Sequence, residues 1–240
     1  MIGLLGAGSA FANPGPAMAP LSTQNLLTQI QGRHGGNFDL LLKQWEKSYG
    51  TKAVQPLLHI AGDNKKDDPI RYVALMGVAK IGGIEAAPLL LPLLKDRSWM
   101  IRSGALRALG VLGNQKTAED VLPLLHDPAL VVRIEAVDAV EKLHPAGAAN
   151  ALLGVLESSA NYRNGRAQWV PSRALAALSS LNAKEIAVRL KPLLDHGSDP
   201  ELQKQTIKTL EALTGKVVEP GSPLATQIKG WKQALNTEKN

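Results

Sequence analysis

Three arginines, Arg71, Arg102 and Arg133, stand 31 residues apart, and the residues around them agree column by column. The position before each is Ile70, Ile101 or Val132. Further along come Ala74, Ala105 and Ala136, then Val78, Leu109 and Val140, then Ile81, Leu112 and Leu143. A fourth copy fits at Val170, Ala174, Leu178 and Leu181, with Pro171 where the arginine stood. Steps of four, four and three residues place all these positions on one stripe of an α-helix. A column of small residues, Gly77, Ala108, Ala139 and Ala177, lets a neighbouring helix approach closely. A chain with this repetition has few folds open to it.

Between these helices runs a second mark, Pro-Leu-Leu, at 56–58, 92–94, 123–125 and 192–194, with a divergent copy, ALLGVLESS, at 151–159. Each proline is expected near the start of a second helix, where its missing N–H costs little. Asp96 and Asp127 follow the leucines and are expected to cap the next first helix, as Asp199 does before Pro200. A pair of short helices cannot bury its own apolar stripe. Stacked pairs can, each buried leucine contributing about 1.5–3 kcal/mol. Composition agrees: 45% of residues are hydrophobic but only 4% aromatic, so the core must be built from Leu, Ala and Val.

The 31-residue period, with its acid, apolar-arginine step and trailing A-L-x-x-L-G, resembles the HEAT-repeat family, in particular the short bacterial repeats related to phycobilin lyases. The resemblance covers roughly residues 50 to 215. It implies an all-α, right-handed α-solenoid of about five to six helical pairs, whose second helices line a concave face. It also implies that the Asp and Arg of one repeat bond to each other, pairing Asp96 with Arg102 and Asp127 with Arg133. Family members mostly serve as protein-binding scaffolds. The expected organisation is a signal peptide at 1–12, a Pro/Gly linker at 13–21, a capping helical pair at 22–50, HEAT-like repeats at 51–216 and a C-terminal capping helix at 217–240. Trp45 and Phe38 would cover one open end of the core and Trp231 the other.

The first twelve residues, MIGLLGAGSAFA, carry no charge and end in Ala10-Phe11-Ala12, an A-x-A step of the kind signal peptidase cuts. They lack the basic residue of an ordinary leader and are too short to span a membrane, which takes about 20 residues. Export is the expectation, to the periplasm or beyond it, with a mature chain beginning near Asn13. Net charge is +6, but 27 bases alternate with 21 acids and no block of five like charges occurs, which argues against nucleic acid as the partner. Cysteine is absent, which excludes disulfides, thiol catalysis and cysteine-ligated metals.

Histidines 34, 59, 126, 144 and 196 show no H-x-x-H spacing, and no G-x-S-x-G, P-loop or local carboxylate pair occurs. No catalytic residue, metal or cofactor is expected. The position after each Leu-Leu holds His59, Lys95, His126, Glu157 and Asp195, a polar strip along successive second helices. One turn breaks the period: SSANYRNGRAQW, 158–169, adds seven residues before the fourth first helix. It gathers Tyr162, Arg163, Asn164, Arg166 and Trp169, residue types enriched at binding hot spots, in a chain with few aromatics. These features lead to a non-enzymatic scaffold that binds a protein or peptide through the concave face, with His59, Lys95 and His126, and through the 158–169 loop. The resemblance leaves two alternatives: an enzyme or enzyme subunit of lyase-like or DNA-glycosylase-like kind, and a nucleic-acid scaffold.

Overall fold

The computed structural model describes residues 20–32 and 38–237; the expected signal peptide lies outside them, as does His34. Eleven α-helices follow in order: α1 (Thr23–Gln31), α2 (Phe38–Tyr49), α3 (Val54–Gly62), α4 (Asp68–Gly82), α5 (Ala87–Leu90), α6 (Trp99–Leu112), α7 (Leu130–Leu143), α8 (Ala148–Glu157), α9 (Trp169–Ser180), α10 (Pro200–Thr214) and α11 (Leu224–Thr237). They stack in two layers. The first holds α4, α6, α7, α9 and α10 side by side, each touching the next. Antiparallel to them lie α3, the run from Ala87 to Lys95, the segment Glu119–His126, α8, the segment Lys184–Asp195 and α11. The fold is an all-α solenoid.

The stripe read from the sequence is the core. Ala74, Val78, Ala105, Leu109, Ala136, Val140, Ala174 and Leu178 have no exposed surface, and one buried cluster runs from Leu26 to Leu235. The small column works as a seat for neighbouring side chains: a Cβ on Gly77 would come within 2.9 Å of Leu57 Cδ1. Gly104, a position the pattern did not single out, does the same for the Tyr72 ring, 2.8 Å from where its Cβ would stand. Trp45 and Trp231 are fully buried against the first and last turns of the stack. The Trp45 indole donates to Gln29 Oε1 at 2.8 Å, which ties α2 to α1.

Three local expectations are corrected. Three segments of the second layer are 3-10 rather than α: three of the Pro-Leu-Leu copies fall in Leu91–Lys95, Glu119–His126 and Lys184–Asp195, and Pro123 and Pro192 lie inside theirs. The cause is the proline, which lacks an N–H and crowds the carbonyl four residues back. Where Pro56 stands at the third position of α3, the α-helix survives. Asp96 and Asp127 are not the residues that open the next helix. Their Oδ1 atoms accept from Ser98 N and Ala129 N, each at 2.8 Å, turning the chain just before the helix begins.

The third correction concerns the arginine column: Asp96 and Asp127 pair with the arginine of the preceding repeat rather than with that of their own. Arg71, with no exposed surface, pairs with Asp96. Arg102 grips Asp127 through both nitrogens, Nε to Oδ2 at 2.7 Å and Nη2 to Oδ1 at 2.8 Å. Within their own repeats Arg102 and Arg133 reach only backbone, Arg102 to Asp96 O and Arg133 to Asp127 O, both at 2.8 Å, whereas Arg71 also holds Asp68 Oδ1 at 3.3 Å. One guanidinium therefore stitches its own turn to the carboxylate of the next. Burial pushes the Asp96 carboxyl up, but the Arg71 guanidinium and the Ser98 amide outweigh it and hold it below the usual carboxylate value.

The stretch Asp68–Lys95 is 28 residues long, and its best window has a mean hydropathy of 1.5, enough by length and composition to cross a membrane. Its apolarity has another use here. Half of that window is buried in the stack, and the chain breaks at Gly83, whose φ of +56° suits glycine.

Candidate functional site

The seven extra residues of the fourth repeat fold into a β-hairpin. Strands β1 (Tyr162–Arg163) and β2 (Arg166–Ala167) pair antiparallel, Tyr162 opposite Ala167 and Arg163 opposite Arg166. Asn164 and Gly165 form the tip with φ of +51° and +72°, the left-handed pair that an Asn-Gly turn supplies. The hairpin is anchored by the same device that joins the repeats. Asn161 is fully buried in the place of the carboxylate, accepting from Arg133 Nε at 2.8 Å and donating to Val155 O at 2.9 Å. On the far side, Pro171 removes the arginine that would have engaged Asp199. That carboxylate instead accepts from Ala167 N at 2.7 Å and caps α10 through Leu202 N at 3.0 Å.

This anchoring divides the five loop residues. Tyr162 is half-buried: its hydroxyl donates to Leu156 O at 2.7 Å, and its ring stacks on His196 with centroids 5.3 Å apart. Burial, and then the charge of Asp199, push its phenol up to about 12. It is a pillar of the hairpin, not a free contact residue. Arg163, Asn164 and Arg166 face water. No ion pair holds either guanidinium among the described residues. Ser198 Oγ donates to Gly165 O at 2.8 Å and fixes the tip against the next turn. Trp169, the first residue of α9, is 73% exposed, beside a hollow of about 360 Å³ lined by Leu130, Ala167, Gln168 and Ser172.

His59, Lys95 and His126 are all exposed, each near the end of its second-layer segment. Lys95 borders a groove of about 560 Å³ between Leu91–Lys95 and Glu119–His126, floored by Pro88, Leu91, Pro92 and Pro123, with Asp120 across from it. No hydrogen bond or ion pair joins these three residues to the hairpin among the described residues. Nor do three His, Asp or Glu side chains there converge as metal ligands would. Farther along the strip, Asp195 pairs with Lys232 of α11, and Glu157 lies 3.8 Å from Arg189.

Two features escaped the sequence reading. Trp99, 48% exposed, begins α6 as Trp169 begins α9, and Val131, 45% exposed, is the second residue of α7. They form an apolar row across three successive first-layer helices. The available signal was an apolar residue one or two positions ahead of the stripe, outside the 3.6-residue pattern. An apolar groove of about 860 Å³ lies between α2, α4 and α6, lined by Phe38, Leu42, Ile70, Tyr72, Met76 and Met100 among others. It draws on residues from separate helices that no local pattern connects.

Residues 87–169 match the family model described as HEAT repeats. Among solved structures the chain is similar to an engineered protein, at 18% identity and a TM-score of 0.50, over 80% of this chain and 90% of that one. It also aligns with a designed armadillo repeat protein in complex with the peptide (KR)4, at 20% identity and TM-score 0.47, over 80% of this chain and 98% of that one. A third alignment is to the complex of CpcE and CpcF of phycocyanin lyase from Nostoc sp. PCC7120, at 17% identity and TM-score 0.33, over 96% and 100% of the two chains. No curated protein matches the chain significantly. The first likeness bears on the fold alone, and the other two are too distant to carry an argument. The chain is an all-α solenoid whose central segment, 87–169, is similar to HEAT repeats, and the same period continues on either side of it.

Proposed function

We propose that this solenoid is a binding scaffold for a protein or peptide, with no catalysis of its own, acting outside the cytoplasm. The observation that carries the reading is the anchored hairpin. Asn161, Tyr162, Ala167 and Asp199 hold it through buried or half-buried hydrogen bonds, so Arg163, Arg166 and Trp169 are presented on a fixed support. An indole left 73% exposed forgoes much of the 1.5–3 kcal/mol that covering a large apolar side chain contributes. A rigid support lowers the ordering cost of binding, and Trp and Arg are the residue types that dominate binding energy. The groove beside Lys95, with His59 and His126 along the same layer, supplies a second contact area.

The test is affinity capture from native cell-envelope extract with the full chain, beside a Trp169→Ala, Arg166→Ala variant that leaves Tyr162 in place. A protein retained by the parent and lost with the variant supports the reading. Retention of no protein, or of the same protein by both, refutes it.

A further inference from the structure

The turns that lead from second-layer segments into first-layer helices all lie on one edge of the solenoid, and the arginine ladder changes what that edge shows to solvent. Its acids are engaged by partners: Asp96 by Arg71, Asp127 by Arg102, Asp199 by Ala167 and Leu202, and the half-exposed Asp68 by Ser98 Oγ at 2.6 Å and by Arg71. The bases are left outward. Lys65, Arg97, Arg163 and Arg166 are exposed, with Asp67 and Glu201 as the exposed acids of the same turns and helix starts. Between the bases stands the apolar row. Trp99, Val131 and Trp169 are three of the seven large hydrophobic residues exposed among the described residues, and they come from adjoining repeats at nearly the same helix position. Arg97 is held in place by Asn64 O.

We propose that this edge docks an acidic, extended polypeptide segment that places an apolar side chain on each of Trp99, Val131 and Trp169. The proposal deepens the scaffold reading and rests on it. Packed helices lie about 8–10 Å apart, and an extended chain in the polyproline II conformation has three residues per turn and advances about 3.1 Å per residue, so the segment turns an apolar residue to the edge at every third position. The residues between face Arg97 and the two hairpin arginines, which calls for carboxylates. A single-stranded nucleic acid fits less well. Trp99 and Trp169 are two helix spacings apart, too far to stack consecutive bases, and the element between them is aliphatic with a hollow of about 360 Å³ at its side.

The test uses the full chain and a fluorescein-labelled peptide of about 12 residues repeating Phe-Glu-Asp, long enough to span the two helix spacings with residues to spare at either end. A Phe-Lys-Lys peptide and an oligothymidylate of the same length are the comparison ligands. Anisotropy gives affinity. Acrylamide quenching of tryptophan emission gives location, because Trp45 and Trp231 are buried and only Trp99 and Trp169 can be quenched or shielded. The acidic peptide is expected to bind at least about tenfold tighter than the basic one and to shield tryptophan emission. Trp99→Ser with Trp169→Ser should weaken it by roughly 30-fold or more at an unchanged melting temperature. Arg163→Glu with Arg166→Glu should abolish the preference for acid. Equal affinity for the two peptides, tighter binding of the oligothymidylate, or indifference to the tryptophan variant would each overturn the proposal. Trp99→Ser separates the two readings: a protein captured from extract that still binds this variant leaves the scaffold standing and removes the edge.

Discussion

Replacing Asp127 by alanine tests the inter-repeat ladder most directly. The Asp127 side chain is 4% exposed and that of Arg102 is 12% exposed. The substitution removes two charge-assisted hydrogen bonds from Arg102 and one from Ala129 N, leaving Arg102 with the Asp96 and Arg97 carbonyls alone. Breaking a buried ion pair by removing one partner costs about 3–5 kcal/mol, because the other charge stays behind. Arg102 keeps some access to water, so the cost should fall near the lower value, about 3 kcal/mol. Against a total stability of about 5–15 kcal/mol for a domain, that is a large loss. Urea denaturation of Asp127→Ala, Arg102→Leu and the Arg102→Leu, Asp127→Leu pair measures it. The double variant should lose less than either single one, since it strands no charge. Glu135→Ala is the control: its partner Arg107 is 55% exposed, and the loss should stay below about 1 kcal/mol. A cost for Asp127→Ala as small as the control's, or a double variant as unstable as the two singles combined, would refute the ladder as a structural tie.

Stability should also fall in acid. Asp96 has its folded value lowered, so its contribution is complete above the unfolded carboxylate value near 3.9 and is lost as pH falls through the folded one; an Asp96→Asn chain should show a flatter acid limb in thermal melts. In alkali, one of the three tyrosines, Tyr162, should ionise near pH 12 rather than 10 in an ultraviolet difference titration, and Tyr162→Phe should remove that step. Its raised value means stability is complete below pH 10 and declines toward pH 12. Ala105→Leu, at a fully buried position, should destabilise by about 1–3 kcal/mol through overpacking, whereas Lys95→Ala on the surface should leave the melting temperature nearly unchanged. N-terminal sequencing of the native protein should find a chain beginning near Asn13; an intact Met1 in the cytosolic fraction would contradict export.

The sequence by itself determined the architecture, because repetition is a one-dimensional signal and each buried position reports on its own helix. The stripe through Ala74, Ala105, Ala136 and Ala174 is the core, and Trp45 and Trp231 are buried against it. The loop was found for the same reason, as an interruption of a period. What the sequence could not carry was anything settled between repeats. Arg102 has Asp96 six residues before it and Asp127 25 after it, and only the stacking distance decides that the far carboxylate receives the guanidinium. The same holds at the hairpin. Tyr162 and Trp169 look alike as exposed-loop aromatics, yet a carbonyl at Leu156 and a ring at His196 draw Tyr162 inward, while Trp169, set at the first turn of α9, meets water. Trp99 and Val131 join it because three helices begin on one edge, a coincidence that exists only once the repeats are stacked.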